Sequence, residues 1–182
     1  MTTTPWPPRR VRVVGTSGSG KTTYARALAR TLDLPYRELD EVFWAADWTY
    51  REVEEARAEL REFAAGPGWV VDGNWETARG GLLEDVDVLV WLDYPRRLVM
   101  SRVIRRTLRR TLTRQELWHG NREDWRFMFR RDPDENVILW AWQSHAVNRA
   151  RYRDRQASGP VPVVRLRSPR AARAWLRELS RV

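Results

Sequence analysis

Gly15-Thr16-Ser17-Gly18-Ser19-Gly20-Lys21-Thr22 has the spacing G-x-x-x-x-G-K-[ST], in which glycine-rich backbone amides cradle phosphate groups and a lysine reaches the outermost of them. That lysine is the only one in the chain, against 32 arginines. Arginine is a flat, rigid fork. The loop needs a compact ammonium on a flexible stem, so the one lysine stands where arginine would not serve. Working outward, Arg10 to Val14 reads as a short apolar strand feeding the loop, and Lys21 to Leu32 as a helix with alanine and leucine along one face. Strand, glycine loop and helix in that order combine loop amides with a helix N-terminus into one anion site.

The strand-helix alternation continues. Leu34 to Leu39 reads as a second strand ending at Asp40-Glu41. Thr49 to Glu52 has capping-box spacing before a helix over about 50–65, which Gly66-Pro67-Gly68 ends. Trp69 to Gly73 and Val86 to Leu92 read as buried strands stopping at Asp72-Gly73 and Asp93-Tyr94-Pro95. A helix from Pro95 to about Arg110 leads into a polar, aromatic excursion through Asn121 and Pro133. The chain returns as a helix over 136–153, a fifth strand over 161–166, and a helix to Leu179 capped by Ser168 with Pro169 at its first position. The prediction is an α/β fold with a parallel sheet, helices on both faces, and the site at the strands' carboxyl ends.

At 182 residues the length suits one domain over 1–182 with one lid insertion, about 107–136. There is no cysteine, and His119 and His145 lie far apart, which excludes disulfides, thiolate zinc sites and thiol redox chemistry; a metal would be held by oxygen. The first ten residues contain no apolar leader segment, and the longest apolar run falls well short of the ~20 residues that span a bilayer. The expectation is a cytoplasmic protein without a membrane partner. The net charge of +9 is carried by residues 96–155, with 16 arginines against 7 acids; the remainder balances. Such a segment suits either a polyanion partner or phosphate handling opposite the loop.

Residue by residue, the cofactor-binding set is Gly15, Gly18, Ser19, Gly20, Lys21, Thr22 and Thr23, with Lys21 on the terminal phosphates and the Thr22 hydroxyl on Mg²⁺. A strand-end carboxylate completes such a metal site; Asp72 and Asp93 both qualify, with Asp72 preferred. Asp40 is placed to accept a proton from, or hydrogen-bond to, an acceptor hydroxyl. Arg102, Arg105, Arg106, Arg109 and Arg110 recur at three- and four-residue steps on one helix and can clamp transferring phosphates. Arg122, Arg126, Arg130 and Arg131 in the excursion can close over them. Trp44, Trp48 and Trp75 follow the strand-end acids, where an aromatic ring either stacks on a base or packs in the core.

With these residues in place, the chain resembles the adenylate kinase-like nucleotide kinases and looks most similar to the branch called topology modulation proteins. The similarity lies in Leu39-Asp40-x-x-Phe43-Trp44, Trp69 to Trp75, Leu92 to Arg96, and Trp118-His119-Gly120-Asn121-Arg122-Glu123. It implies a three-layer P-loop NTPase fold with sheet order 2-3-1-4-5, a helical arginine-rich lid between strands four and five, ATP and Mg²⁺ as co-substrates, and Arg102 and Arg106 on the nucleotide. In the family, the strand-three acid begins Asp-Gly-x-Pro-Arg. Here Asn74-Trp75-Glu76 replaces the last three, so the arginine that binds an acceptor monophosphate has no counterpart, with Arg79 as a substitute. Asp40, Trp44, Arg79 and Arg122 are the resulting acceptor-side set.

The function expected is transfer of the γ-phosphate of MgATP to a small-molecule acceptor, with Lys21, Asp40, Arg102 and Arg106 catalytic. The alternative is an ATP-switched nucleic-acid-binding regulator using the basic segment, although neither a helix-turn-helix nor an RNA-binding aromatic signature is present. A guanine-nucleotide switch is excluded, because its Asn-Lys-x-Asp element requires a second lysine.

Overall fold

The computed structural model describes residues 6–133 and 135–181; residues 1–5, where the expected absence of a leader was partly read, position 134 within the expected lid, and position 182 lie outside them. Five parallel strands, β1 (Arg10–Gly15), β2 (Tyr36–Glu38), β3 (Trp69–Asp72), β4 (Val88–Leu92) and β5 (Val163–Leu166), form one sheet in the order β2-β3-β1-β4-β5. Helices α1 (Lys21–Leu32), α2 (Leu39–Phe43), α3 (Val53–Ala64), α4 (Arg96–Thr113), α5 (Val137–Ser158) and α6 (Pro169–Leu179) lie between and after them, with no helix between β3 and β4 among the described residues. The order is the expected one. It places β1 at the centre, with Val13 opposite Asp72 and Gly15 opposite Leu92.

The pleat explains the apolar runs. Val11, Val13, Val70, Val88, Val90 and Leu92 face Ala25 and Leu28 of α1 and Ala172 and Leu179 of α6 in one core cluster. Their neighbours face the other way: Trp69 and Val71 meet Ala56 and Leu60 of α3, and Leu89 and Trp91 meet Tyr152 of α5. A sheet covered on both faces needs apolar residues at both phases of the strand, and each fully buried valine contributes about 1.5–3 kcal/mol.

Arg12 breaks that pattern. It is 1% exposed in the middle of the second face. Its guanidinium reaches Glu76 Oε1 at 3.0 Å and Glu84 Oε1 at 3.6 Å. Arg79, also 1% exposed, pairs with the same two carboxylates and donates to the Leu82 carbonyl. Arg155 of α5 closes the cluster, 2.9 Å from Glu84 Oε2 and 3.3 Å from Glu76 Oε2. Arg79 is therefore committed beneath the sheet, and its expected role on an acceptor is corrected.

Three boundaries move for identifiable reasons. The second strand ends at Glu38 because α2 starts at Leu39, so Asp40 lies in a helical turn rather than at a strand end. The Thr49 hydroxyl donates to Ala46 O, and Glu52 is the cap of α3, its carboxylate accepting from Glu55 N at 2.9 Å. Helix α4 runs on to Thr113, so the segment between α4 and α5, which covers most of the expected lid, begins at 114. It holds two 3₁₀ turns, Trp118–Gly120 and Trp125–Phe129, rather than an α-helix. Among the described residues no helix is long and apolar enough to cross a membrane.

Removing one member of a buried ion cluster leaves an uncompensated charge. Arg79→Ala is therefore expected to lower unfolding stability by about 3–5 kcal/mol in a urea titration. Burial alone would raise the Glu84 carboxyl, but hydrogen bonds from Arg155 and Arg79 outweigh it and hold the group down to about 2. Its contribution is present above the ordinary carboxylate range and is lost as pH falls from about 4.5 towards 2. An acid unfolding curve shifted in Glu84→Gln checks this.

Candidate functional site

The loop between β1 and α1 is shaped by its glycines. Gly18 has φ +84°, and a Cβ there would lie 2.2 Å from Val103 Cγ2 and 2.9 Å from Val99 O. Helix α4 thus lies directly against the loop, which only glycine at this position permits. Gly20, with φ +91°, is the N-cap of α1, so the helix begins at Lys21. Gly15 is held from the side: Asn74 Nδ2 donates to its carbonyl at 3.1 Å, and its amide donates to Asn74 Oδ1 at 3.4 Å. Tyr152 OH fixes the same oxygen at 3.0 Å.

Lys21 Nζ lies across the loop, donating to Thr16 O at 3.4 Å. Burial pulls its ammonium down from the ordinary lysine value, and the charges of Asp40 and Asp72 oppose that. The Thr22 hydroxyl lies 2.9 Å from Asp72 Oδ2 and 3.1 Å from Glu38 Oε1. It has one proton and two acceptors. Asp72 Oδ1 accepts from Tyr36 OH at 2.5 Å, and Glu38 Oε2 accepts from Arg26 at 3.1 Å. Burial, reinforced by Glu38, pushes Asp72 up to about 7; burial and Asp40 also raise Glu38.

Two buried carboxylates converging on one hydroxyl form an electron-rich oxygen set that a hard divalent cation would relieve. Among the described residues no group of three or more acidic or histidine side chains could hold a metal by itself. The set therefore suits magnesium, which takes one or two protein oxygens and completes its shell with phosphate and water. Asp93 is excluded from it, because Arg149 at 3.0 Å and Arg165 at 2.5 Å occupy its carboxylate.

Helix α4 supplies cations to the other side of the loop. Arg102 Nη1 donates to Ser19 O at 3.2 Å, and Arg106 Nη2 to Ser17 Oγ at 3.1 Å. Arg110, one turn further, pairs with Glu123 of the lid at 2.9 Å. Burial and Arg110 lower the Arg106 guanidinium, while Glu123, Asp40 and Glu38 act against that. These side chains, with Arg105, Arg109 and Gln115, line a cavity of about 330 Å³.

Asp40 stands near the loop from the β2 side. Trp75 Nε1 donates to its Oδ1 at 2.7 Å. Gly73, φ +127°, allows this: a Cβ would lie 2.7 Å from Leu39 Cβ, so its glycine serves packing of β3 against α2 rather than the approach of a ligand. Trp75 stacks on Phe43, Trp44 on Tyr50, and Trp48 meets Trp118 edge-on. The three tryptophans thus form an aromatic wall beside Asp40. Residues 118–122 are docked on it. Buried Asn121 donates to Ala45 O at 2.7 Å and accepts from Trp48 N at 2.8 Å.

Several expected residues lie elsewhere. The Arg122 side chain is exposed and pairs with Glu116; only its carbonyl joins the wall, accepting from Trp48 Nε1. Arg130 pairs with Glu135, and Arg126 lies over Trp125. Thr23 is exposed in the first turn of α1, whereas the Ser19 hydroxyl is buried without a hydrogen-bond partner. Glu38, Tyr36 and Ser17 are site residues that the sequence reading missed. The alternation of Tyr36 and Glu38 on one strand face was the available signal.

Neither a protein-family model nor a curated protein matches the sequence. Solved structures share the fold. A shikimate kinase from Bacteroides thetaiotaomicron superposes with a TM-score of 0.55 at 15% identity over 96% of this chain and 97% of that one. A gluconokinase from Sinorhizobium meliloti 1021 gives 0.51 at 17% identity over 96% and 94%. A deoxyadenosine kinase from M. mycoides gives 0.53 at 12% identity over 93% and 98%. The architecture is the α/β fold of these P-loop kinases.

Adding a methyl at position 18 forces α4 and the loop apart. Gly18→Ala is expected to cost about 1–3 kcal/mol of stability and to weaken binding of a fluorescent ATP analogue at least tenfold. Equilibrium unfolding and fluorescence anisotropy measure the two effects.

Proposed function

We propose that this chain is an ATP-dependent kinase that phosphorylates a hydroxyl group of a small molecule. One observation carries the reading. The loop hydroxyl of Thr22 meets Asp72 and Glu38 on one side, while Arg102 and Arg106 bond the same loop from the other. Negative phosphates and a positive metal each find complementary groups there. That arrangement suits phosphoryl transfer, where catalysis is positioning plus charge stabilisation.

In this reading Thr22 and Asp72 hold Mg²⁺, with Glu38 beside them; the bound ion would draw charge from the phosphate oxygens. The loop amides and Lys21 orient the triphosphate. Asp40 keeps one carboxylate oxygen on the Trp75 indole, and its other oxygen takes the proton from the acceptor hydroxyl. The acceptor oxygen bonds to the γ-phosphorus as the bond to the β,γ-bridging oxygen breaks and ADP leaves. Arg102 and Arg106 balance the charge that develops, and the docked lid excludes water that would otherwise compete.

The acceptor side favours a hydroxyl compound without a phosphate. Arg79 is buried in its own ion cluster and Arg122 points to solvent, so neither supplies the monophosphate-binding arginine that the adenylate kinase-like resemblance would require. An aromatic wall beside an acid suits polyols and sugar-like rings, whose C–H faces pack on indoles while their hydroxyls bond carboxylates. The shikimate kinase and gluconokinase of the same fold make compounds of that kind the first acceptors to test. The finer kinship to topology modulation proteins rests on the motifs alone.

A transfer screen with labelled ATP against nucleosides, nucleoside monophosphates, polyols and sugar acids tests this. Transfer to an unphosphorylated hydroxyl compound is expected. Lys21→Ala should lose about 10²–10³ in kcat/KM, and Asp40→Asn about 10²–10⁴, mostly in kcat. Slow ATP hydrolysis with every acceptor failing, or full transfer by Lys21→Ala, would refute the assignment.

A further inference from the structure

A cavity larger than the one beside the glycine loop lies elsewhere among the described residues. It has a volume of about 830 Å³ and is lined by Arg96, Arg149, Arg153, Arg165, Arg167 and Asp93. No residue lines both cavities. Trp91 and Arg165 alternate onto the sheet face that carries Tyr152, while α1 covers the opposite face. The second cavity thus opens across the sheet from the loop helix.

Its five arginines come from four places in the fold: the first residue of α4, one face of α5 at an i,i+4 step, β5, and the segment that follows β5. A solvated helical face would put its charges on one helix. Here the tertiary structure gathers them into one concave space. Asp93 is the sole carboxylate among the lining residues, and it is shared by Arg149 and Arg165 at 3.0 and 2.5 Å. Among the described residues, Arg96, Arg153 and Arg167 have no ion-pair partner, which leaves the cavity four positive charges in excess.

Two of the forks are also held in place. Arg165 lies over the Trp91 ring at 4.6 Å and Arg96 over the Trp142 ring at 4.6 Å. A ring face fixes the plane of a guanidinium while leaving its edge N–H groups to donate; the Arg165 edge donates to Asp93, and Arg96 has no ion-pair partner among the described residues. Like charges within a cavity repel over distances shorter than the ~8 Å screening length of physiological salt. Guanidiniums in excess over the one carboxylate recognise the paired oxygens of phosphate groups.

We propose that this cavity is a second anion site that takes an oligophosphate, a chain of two or three phosphate groups. A single phosphate engages two or three forks. Five arginines around about 830 Å³ match a longer anion, either inorganic or carried by a nucleotide. Asp93 is its internal competitor, because it occupies two of the arginines that the ligand would use.

The test is calorimetric titration of Lys21→Ala protein, in which the glycine loop is weakened, with inorganic triphosphate at constant ionic strength near 0.15 M. Saturable binding is expected, at least tenfold tighter than that of inorganic monophosphate. Arg153→Ala combined with Arg167→Ala, which breaks no ion pair, should weaken it at least tenfold with an unchanged unfolding midpoint. Asp93→Asn should strengthen it, an opposite sign that a merely structural role would not produce. ADP or ATP binding more tightly than triphosphate through the same arginines identifies a nucleotide as the source; the reverse identifies the inorganic anion. Absence of saturable binding, equal affinity for monophosphate, or binding indifferent to Arg153→Ala and Arg167→Ala would overturn the proposal. A kinase that fails to transfer phosphate would leave this result untouched, since the readout is binding across the sheet from the loop.

Discussion

The candidate site depends on how closely the backbone of the glycine loop approaches helix α4. A single methyl at position 18 would lie 2.2 Å from Val103, so the two segments are in contact along bare backbone. That contact sets where Arg102 and Arg106 reach. One and two turns beyond Val99, which touches the loop at Gly18, their guanidiniums fall on Ser19 and Ser17. If the loop carried a side chain there, the helix would stand off by the width of a methyl group and both hydrogen bonds would lengthen past use.

The opposite wall is organised by burial of like charge. Glu38 and Asp72 end neighbouring strands in register, so parallel pairing itself puts two carboxylates side by side. Left alone they raise each other's proton affinity. Thr22, Tyr36 and Arg26 distribute donors over their four oxygens. One hydroxyl proton cannot serve two acceptors at once, and this shortage is what suits the pair to a cation in the proposed function. The network around Arg12 differs. There three guanidiniums share two carboxylates, and Glu76 and Glu84 are held below their ordinary range. It anchors the 73–87 segment under the sheet, and Asn74 at the start of that segment holds Gly15.

What was legible in the sequence followed from periodicity and from glycine. The strand order came with the resemblance to the adenylate kinase-like kinases; the five strands and the loop-to-helix junction were readable, because strands buried on both faces are apolar runs and the loop has a fixed spacing. Asp72 and the α4 arginines could be placed near the loop for the same reason. Arg79 could not. Nothing local distinguishes an arginine bound for a buried ion cluster from one bound for a ligand, since its partners Glu76 and Glu84 become partners only when the segment folds back over Arg12. Arg122 failed similarly: the residue beside it, Asn121, has the buried side chain that docks the lid, and the arginine is left outside. Glu38 was hidden by a boundary. Reading the second strand one residue too long made Asp40 its end and passed over the acid that actually stands beside Thr22.

The division of labour between the two cation types follows from these positions. Several arginines that bear on the loop or on the second cavity are held by a backbone carbonyl, a hydroxyl, a ring face or a carboxylate, among them Arg102, Arg106, Arg96 and Arg165. A planar fork loses little on being fixed, because its donors are already arranged. Lys21 has a different task. Its stem spans the loop and its head lies among the charges of Asp40, Asp72 and Arg106, a balance that in the proposed kinase would change as phosphate arrives and departs. A rigid fork aimed at one of them would be misplaced for the next, whereas an ammonium has no preferred plane and follows the charge. A chain that uses arginine at every other basic position can therefore retain one lysine for a physical reason, and that reason applies only where the anion moves.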